Sequence, residues 1–526
     1  MNTVDAKAIE HAFDRSYYMT RYPDVRAAGL DPLQHYCENG WREGRHPSAT
    51  FDTAYYLQAN QDVRQAGINP LLHYVYRGRA EGRPTRPAMA WIRQHLAEAR
   101  PARIAQAHGT VAVAVGQMPL RVDDLVLAFR NQNGLVISVS HDDFAVNVGG
   151  VQNVVSDECA ALQRRGFDYL HLSPAQPGPG LAEATQAGEV CVSVRLNGTK
   201  FGIVKASALR PLLRGFAGHS RPTHWVIHHL MGHSPEVLAT LIEDTESRKP
   251  LLWAHDFFAA CPSYTLMRND IVFCNAPPLA SDGCRICVNG GERGPHALRI
   301  QAFVEKVRPS LIAPSQSAAE LWRRSVPVRP VETIILPPAD MALQASRRAS
   351  RGGRPLRIAH IGARVFHKGW FVFQELAQAL RGDARYEFFQ FGSISGPELD
   401  FIRHVDVRVT LANRDAMVSA LVENEVDVAI FWCLWPETFN FTLHEAIAAG
   451  TFVLARRDQG NVWAAARSLA PKASRAFDDE ASLLAYLRGD AFPGNVDRAP
   501  LYRGGLLPNM GCADLLSNGK LQEVVA

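Results

Sequence analysis

Four side chains from two stretches of this chain have the types and the places to hold an anionic ligand. Arg364 and Lys368 lie in Gly362-Ala363-Arg364-Val365-Phe366-His367-Lys368-Gly369, a strand-to-helix turn where helix amides already favour anions. Arg provides a planar fork for phosphate oxygens and Lys a compact charge. Glu437 and Glu445 belong to Trp435-Pro436-Glu437-Thr438-Phe439-Asn440-Phe441-Thr442-Leu443-His444-Glu445. One carboxylate falls on a loop and the other about one turn inside the following helix, so both can face one crevice. The plain alternative is solvated cations on a loop and two surface carboxylates near a helix start.

The elements that must position them follow from apolar runs and punctuation. Residues 426–432 and 452–455 read as buried strands, residues 441–449 as a helix, and Gly450 as its C′ residue. Strand, acidic loop, helix, strand is half of a doubly wound α/β domain, whose ligands sit at the carboxyl ends of strands. That domain starts with the strand 356–362 and includes strands at 386–391 and 405–410 and a helix at 414–422. Its last βα turn carries Asp458-Gln459-Gly460-Asn461.

An earlier Rossmann-like domain opens with the strand 135–140, followed by His141-Asp142-Asp143 and Asn147-Val148-Gly149-Gly150. Gly149 and Gly150 let backbone approach a ligand and aim the amides of the helix 151–165 at it. Two further strands, 225–227 and 251–254, end in His228-His229 (with His233 beyond) and His255-Asp256. The strand 310–314, a helix capped by Ser315, and the strand 332–338 close this domain. Residues 344–355, with Arg347, Arg348, Arg351, Gly352 and Gly353, read as a solvated linker; a weak contact with an acidic membrane is the alternative use of its charge. The tail, 476–526, contains helical stretches at 480–487 and 511–516.

Residues 261–294 form an irregular insertion holding Cys261, Cys274, Cys284 and Cys287. Cys284 and Cys287 have the spacing of half a tetrahedral zinc site, which the other two would complete. A structural zinc that staples a coreless loop is one expectation; buried free thiols and a redox pair are the others.

At the amino terminus, residues 1–85 contain a repeat: Phe13-Asp14, Tyr17-Tyr18, Asp24-Val25-Arg26, Pro32-Leu33, His35-Tyr36 and Glu43-Gly44-Arg45 recur 38 positions later, from Phe51-Asp52 to Glu81-Gly82-Arg83. Asp31-Pro32 and Asn69-Pro70 supply N-caps with proline following, so each copy reads as a pair of short helices. The shared Tyr and His read as core and turn residues. Two copies are fewer than a free-standing solenoid needs, so the expectation is that they pack on each other or on the rest of the chain, with docking of another protein as a further use. Residues 86–128 read as a connector with one helix at 88–99.

The length of 526 residues allows two or three domains. A net charge of +4, from 56 basic and 52 acidic residues, argues against a nucleic-acid binder working by bulk charge. No run reaches the length of a membrane span, the first residues lack a secretory signal, and nine cysteines argue against a disulfide framework. The expectation is a cytoplasmic protein, with peripheral contact at the inner face of the membrane as the variant.

Glu437 and Glu445, with Phe439 after the first and Ala446 after the second, together with Arg364 and Lys368-Gly369 and the Gly149-Gly150 loop, closely resemble the retaining family-4 glycosyltransferases of the GT-B fold. The resemblance covers about residues 135–475. It implies two Rossmann-like domains, 129–343 for the acceptor and 356–475 for the donor, facing a cleft, with a tail that crosses back. It implies that Arg364 and Lys368 bind the donor diphosphate, Glu437 the donor sugar and Glu445 the nucleotide's ribose. Gly149 and Gly150 would face phosphates and acceptor, and His255 would lie beside the transferred sugar. Asn440, Phe441 and Thr442 would give amides or a hydroxyl to sugar and phosphate, and Gly460 and Asn461 backbone amides; the family's acidic residue in that last turn is absent here. No Asp-x-Asp motif is present and the resemblance requires no metal for catalysis. The implied reaction moves a hexosyl group from a nucleoside-diphosphate sugar to a glycan or lipid-linked acceptor with retention. The repeats resemble modules beside surface-polysaccharide glycosyltransferases. A non-catalytic sugar-nucleotide or glycan-binding subunit, or a GT-B sugar-nucleotide epimerase, is the rival reading.

Overall fold

The computed structural model describes residues 3–48, 50–86, 122–130, 133–183, 190–216, 222–247, 249–279, 281–393, 398–457 and 460–518. The helix expected at 88–99 and the last residues of the tail lie outside these. The chain divides into two compact units, Met1–Ile104 and Ala105–Ala526.

In the first unit each repeat copy folds as three short helices and a π-turn rather than a helix pair: Arg15–Arg21, Pro23–Ala27, Pro32–His35 and Tyr36–Gly40, then Thr53–Ala59, Gln61–Gln65, Pro70–His73 and Tyr74–Gly78. Asp14 and Asp52 cap the first helix of each copy by accepting from Tyr17 and Tyr55 amides. The repeated Tyr and His meet inside: Tyr18 hydroxyl and His35 Nδ1 lie 3.0 Å apart, as do Tyr56 and His73. Tyr18, Tyr36 and Tyr56 are fully buried in one apolar cluster shared by both copies.

The second unit is built on two large sheets. The first contains β1 (Leu135–Val139), β2 (Asp168–Pro174), β3 (Cys191–Leu196), β4 (Thr199–Lys205), β5 (Thr223–Ile227) and β6 (Leu251–Trp253). A small hairpin, β7 (Met267–Arg268) with β8 (Val272–Phe273), precedes its last strands, β9 (Ser310–Ala313) and β10 (Thr333–Ile335). The order is β10-β9-β6-β5-β1-β2-β3-β4, with β2, β3 and β4 paired antiparallel and the rest parallel. β1, β2, β6 and β9 are buried along their whole length, as parallel strands covered by helices must be.

Next, β11 (Ala339–Ser346) takes residues that the charge pattern marks partly as linker. They are ordered because a tail strand pairs with them, a partner no local pattern reveals. The second sheet holds β12 (Leu356–Ile361), β13 (Tyr386–Phe391), β14 (Arg403–Val405), β15 (Val428–Phe431), β16 (Phe452–Arg456) and β17 (Ser474–Phe477), all parallel, in the order β14-β13-β12-β15-β16-β17. The tail then runs through helices Glu480–Arg488 and Ala491–Arg498 and β18 (Leu501–Pro508), which pairs antiparallel with β11. Its last helix, Gly511–Asn518, sinks Cys512, Ala513 and Leu516 into the core of the first sheet's lobe. Arg165 fastens it by donating to Asp514 at 2.7 Å and Ser517 at 2.9 Å. The result is an α/β fold of two Rossmann-like lobes with the tail crossing back, the GT-B arrangement.

Both sheets reverse strand order about their first strand. β12 is flanked by β13 and β15, and β1 by β2 and β5. Such switch points open a crevice at the strands' carboxyl ends, and the turns of interest leave from there.

Candidate active site between the lobes

The turn after β12 begins at Gly362 and ends in a 3-10 turn, Phe366–Lys368, with Gly369 at the head of the helix Trp370–Ala379. Gly369 has φ of +80°, and a Cβ there would stand 2.1 Å from the carbonyl oxygen of Trp432. Only glycine lets this turn pass so close to the neighbouring loop. The Leu434 amide donates to His367 O at 2.9 Å, locking the two loops together.

That junction brings Lys368 to Glu437. The ammonium donates to Glu437 Oε1 at 2.5 Å, and Trp435 Nε1 donates to the same oxygen at 2.9 Å. Lys368 also stands 5.6 Å from the Trp435 ring centroid. Burial would weaken the lysine's charge, but the Glu437 carboxylate outweighs it and holds the Lys368 pKa above its ordinary value. Glu437 is 2% exposed. Gly460, φ +65°, bridges its backbone, and Asn461 donates its amide to Glu437 O at 2.8 Å. Gly460 and Asn461 therefore brace the Glu437 loop. Arg364, from the same turn as Lys368, is buried, its guanidinium 4.9 Å over the Trp370 ring and its Nε donating to Gln390 Oε1 at 3.3 Å.

Asn440 caps the helix Phe441–Ala448, accepting from the Leu443 amide at 2.8 Å and the Thr442 hydroxyl at 2.8 Å. The Thr442 hydroxyl proton is thus engaged with the capping Asn440 oxygen. Phe441 faces the other lobe: a Cβ on Gly150 would lie 3.3 Å from its ring. Glu445 is different. It is 6% exposed, and among the described residues no donor reaches its carboxyl group. Burial, with Asp415 adding, pushes its pKa up to about 7.

The first lobe approaches through its own switch point. Gly149 and Gly150 start the helix Gly150–Arg164. The Thr438 hydroxyl donates to His255 O at 2.5 Å, and the Ser315 hydroxyl to Thr438 O at 2.8 Å. Arg414 donates to Asp157 Oδ1 at 2.7 Å. His255 and Gly150 on one side, and Thr438 and Phe441 on the other, are thereby in contact across the boundary. His228 Nδ1 lies 3.1 Å from His255 Nε2. His229 accepts from the Met231 amide on Nδ1 (3.0 Å) and hydrogen-bonds Asp256 through Nε2 (2.9 Å). His233 donates to Ser140 O at 2.8 Å, a structural bond. Burial, reinforced by His228, His229 and His141, holds the pKa of His255 well below its ordinary value.

The sequence reading misses Trp435, Thr438, Gln390, Glu158 and Asp256. Trp435 and Thr438 flank Glu437 in the chain, and adjacency was the available signal. Gln390 and Glu158 come from a strand and a helix whose pattern reads simply as core.

The zinc expectation requires correction. Cys261, Cys274, Cys284 and Cys287 do converge on one small cavity, yet all are free thiols. Among the described residues no group of three His, Cys, Asp or Glu side chains is placed to hold a metal ion. Arg293 donates to the Cys284 sulfur at 2.8 Å, and burial pushes the Cys261 pKa up to about 11 and that of Cys274 up as well. Free thiols packed around a buried guanidinium fit this geometry. Among the described residues, no helix is long and apolar enough to cross a membrane.

No family model matches this sequence, and no curated protein does. Chains of solved structures do match, 97 in number. One is HepE from Anabaena in complex with UDP and glucose, at 10% identity, covering 69% of this chain and 91% of that one, with a TM-score of 0.42. Another is a glycosyltransferase from Rickettsia africae, at 10% identity, covering 70% and 91%, with a TM-score of 0.45. A third is an α,α-trehalose 6-phosphate synthase from Burkholderia multivorans, at 10% identity, covering 70% and 92%, with a TM-score of 0.39. At such identities and superpositions no residue role passes to this chain, whose chemistry is read from its own geometry.

Proposed function

We propose that the chain is a retaining glycosyltransferase that takes a sugar from a nucleoside diphosphate and gives it to a glycan or lipid-linked hydroxyl. The observation that carries this reading is Glu445: a carboxyl 6% exposed, with no donor among the described residues and its oxygens not sealed in, one helix turn from a loop that pairs Lys368 with Glu437. Burial opposes its charge, a cost that donors from a ligand would offset. A ribose diol supplies two hydroxyl donors to such an acceptor.

In this reading Lys368 and Arg364 take the diphosphate oxygens, together with amides at the head of the helix Phe441–Ala448. Lys368 keeps Glu437 as its second partner, and Glu437 accepts from a sugar hydroxyl. The bond broken joins the anomeric carbon to the diphosphate oxygen, and the bond formed joins the same carbon to the acceptor oxygen. The negative charge developing on the leaving diphosphate is what the two cations stabilise. The acceptor's proton goes to a phosphate oxygen. Protein-provided cations make that stabilisation available without a bound metal. Lobe contacts through Thr438, Phe441 and Arg414 exclude water from the reacting carbon.

Thermal stabilisation of the purified chain by a panel of nucleotide sugars tests donor binding. Donor hydrolysis by the parent, Glu437→Ala and Lys368→Ala then tests the roles. Equal turnover in all three rejects the assignment. Binding without turnover or transfer favours the binding-subunit reading, and a product that stays nucleotide-linked favours an epimerase.

A further inference from the structure

The buried positions of β13 hold aromatic rings, Tyr386, Phe388, Phe389 and Phe391, and a single amide, Gln390. Gln390 is 0% exposed. Its strand lies between β12 and β14, and its register partner on β14 is His404. The amide reaches the cationic turn that follows β12. Oε1 accepts from Arg364 Nε at 3.3 Å, and Nε2 donates to the Gly362 carbonyl at 2.9 Å. His404 Nδ1 lies 2.5 Å from the same Oε1. An amide buried among aromatic rings costs stability unless its groups are bonded. Here both ends are, and each bond goes to the turn or to the strand beside it.

The orientation of this amide has one solution. Arginine Nε only donates, and a backbone carbonyl only accepts. Turning the amide over would set Nε2 against Arg364 Nε and Oε1 against the Gly362 oxygen, two repulsive pairs in place of two bonds. The oxygen therefore faces Arg364, whatever the protonation of any neighbour. His404 does not enter that choice and follows from it: an amide oxygen accepts, so the ring nitrogen that meets it donates.

One side chain thus ties the first residue of the turn, Gly362, to the turn's first cation, while Trp370 lies 4.9 Å under the guanidinium. A long arginine side chain loses rotamer freedom when it grips a ligand, and fixing it beforehand lowers that cost. Gln390 is also uncharged. It directs the guanidinium without cancelling its charge, as a carboxylate at the same place would.

We propose that Gln390 is a positioning residue: it fixes Arg364 through Nε so that the guanidinium is held ready for the phosphate oxygens of a ligand. The phosphate rests on the transferase reading above; the fixing of Arg364 does not.

Inorganic pyrophosphate is the probe, because it presents the two phosphates without base or sugar. Gln390→Met keeps the length of the buried side chain and removes its hydrogen bonds. Gln390→Asn keeps an amide that is one methylene too short to span both partners. In the full chain each is expected to weaken pyrophosphate binding, measured by titration calorimetry, about tenfold. In an Arg364→Met background the same changes are expected to cost less than about twofold, because the residue through which Gln390 acts is gone. A glutamine that served only the packing of β13 or the backbone of the turn would weaken binding equally in both backgrounds. Arginine Nε–H spectra, with the Arg364 signal assigned by its loss in Arg364→Met, read the positioning itself. That proton is expected to exchange with water about tenfold faster in Gln390→Met than in the parent. A parent that does not bind pyrophosphate, equal losses in the two backgrounds, or an exchange rate that Gln390→Met leaves unchanged overturns the proposal. If binding and spectra come out as expected but no nucleotide sugar is bound or turned over, the transferase reading fails and the positioning stands.

Discussion

The two lobes treat their buried polar groups in opposite ways. In the first lobe the switch point is lined by side chains that find partners within the protein: Glu158 Oε1 with Tyr169 and His228, His229 with Asp256, and His233 with the Ser140 carbonyl, while Glu158 Oε2 is left without one. In the second lobe the corresponding crevice holds a Lys368–Glu437 pair with the lysine side chain one-third exposed, and a Glu445 that no donor reaches among the described residues. Side chains paired within the protein hold their geometry. A group at the crevice that no donor reaches waits for a ligand. The first lobe orients and the second grips, and each prediction below tests one side of that division.

The largest effect is expected at Lys368. Lys368→Met removes the cation from both the leaving group and Glu437. Donor turnover should fall about a hundred- to a thousandfold, as when one preorganised charge-stabilising donor is lost. Stability should fall by about 3 kcal/mol, because Glu437 is then a buried carboxylate without a counter-charge. Chemical denaturation and donor hydrolysis measure the two. Loss of stability with full turnover would make the pair a structural feature like those of the first lobe.

Glu445 should behave in the reverse sense. Its folded pKa of about 7 lies above the ordinary 4.5, so the folded state prefers the protonated carboxyl. That preference contributes fully below about 4.5 and is lost as pH rises through 7. The free protein should therefore lose up to about 3 kcal/mol across that window from this group alone. Glu445→Gln should raise Tm at pH 8 relative to the parent, match it near pH 4, and abolish stabilisation by nucleotides. A variant that is more stable and no longer binds marks a group kept for a ligand.

How much of this could be read from the chain itself depends on how local each cause is. The strand–loop–helix around Glu437 is legible because β15 is an uninterrupted apolar run and Gly450 a natural helix end; the cationic turn is legible because β12 is a similar run ending at a glycine. β11 was not, since its order depends on β18 more than 150 residues away, as their pairing from Ala339–Pro508 to Ser346–Leu501 shows. The repeat's capping residues were legible, but its π-turns were not, because they arise from packing between Tyr18 and Gly40 rather than from any local preference. The four cysteines show the limit of spacing arguments. Their convergence was foreseeable from Cys284 and Cys287, whereas the guanidinium of Arg293 among them was not.

A smaller effect should follow from Gly460→Ala. At φ +65° an L side chain is strained, and the new Cβ would stand 2.4 Å from Glu437 O. Strain of about 1–3 kcal/mol is the expected cost, relieved by displacing the loop that carries Glu437. Turnover should fall more than nucleotide binding, because Glu445 sits on a different segment. Equal losses in both would mean that the second lobe's gripping groups move as one body.

The smallest effect concerns the junction where orienting and gripping lobes meet. Arg414 reaches across to Asp157 at 2.7 Å, with both side chains between a quarter and a third exposed. Burial raises the Asp157 pKa and Arg414 opposes it. A pair this wet contributes about 0.2–1 kcal/mol and is screened by salt. It bridges the lobes, so Asp157→Asn should shift the balance between closed and open lobes by about twofold, and at most about fivefold, with the core untouched. The parent's KM for donor should rise between low and high salt, and the variant's should begin near the high-salt value and stay there. Unfolding midpoints of the two proteins should agree at high salt. A variant that keeps the parent's salt response would show that the lobes are held by Thr438 and Phe441 alone, and that this ion pair adds nothing to the closure that lets one lobe act on what the other holds.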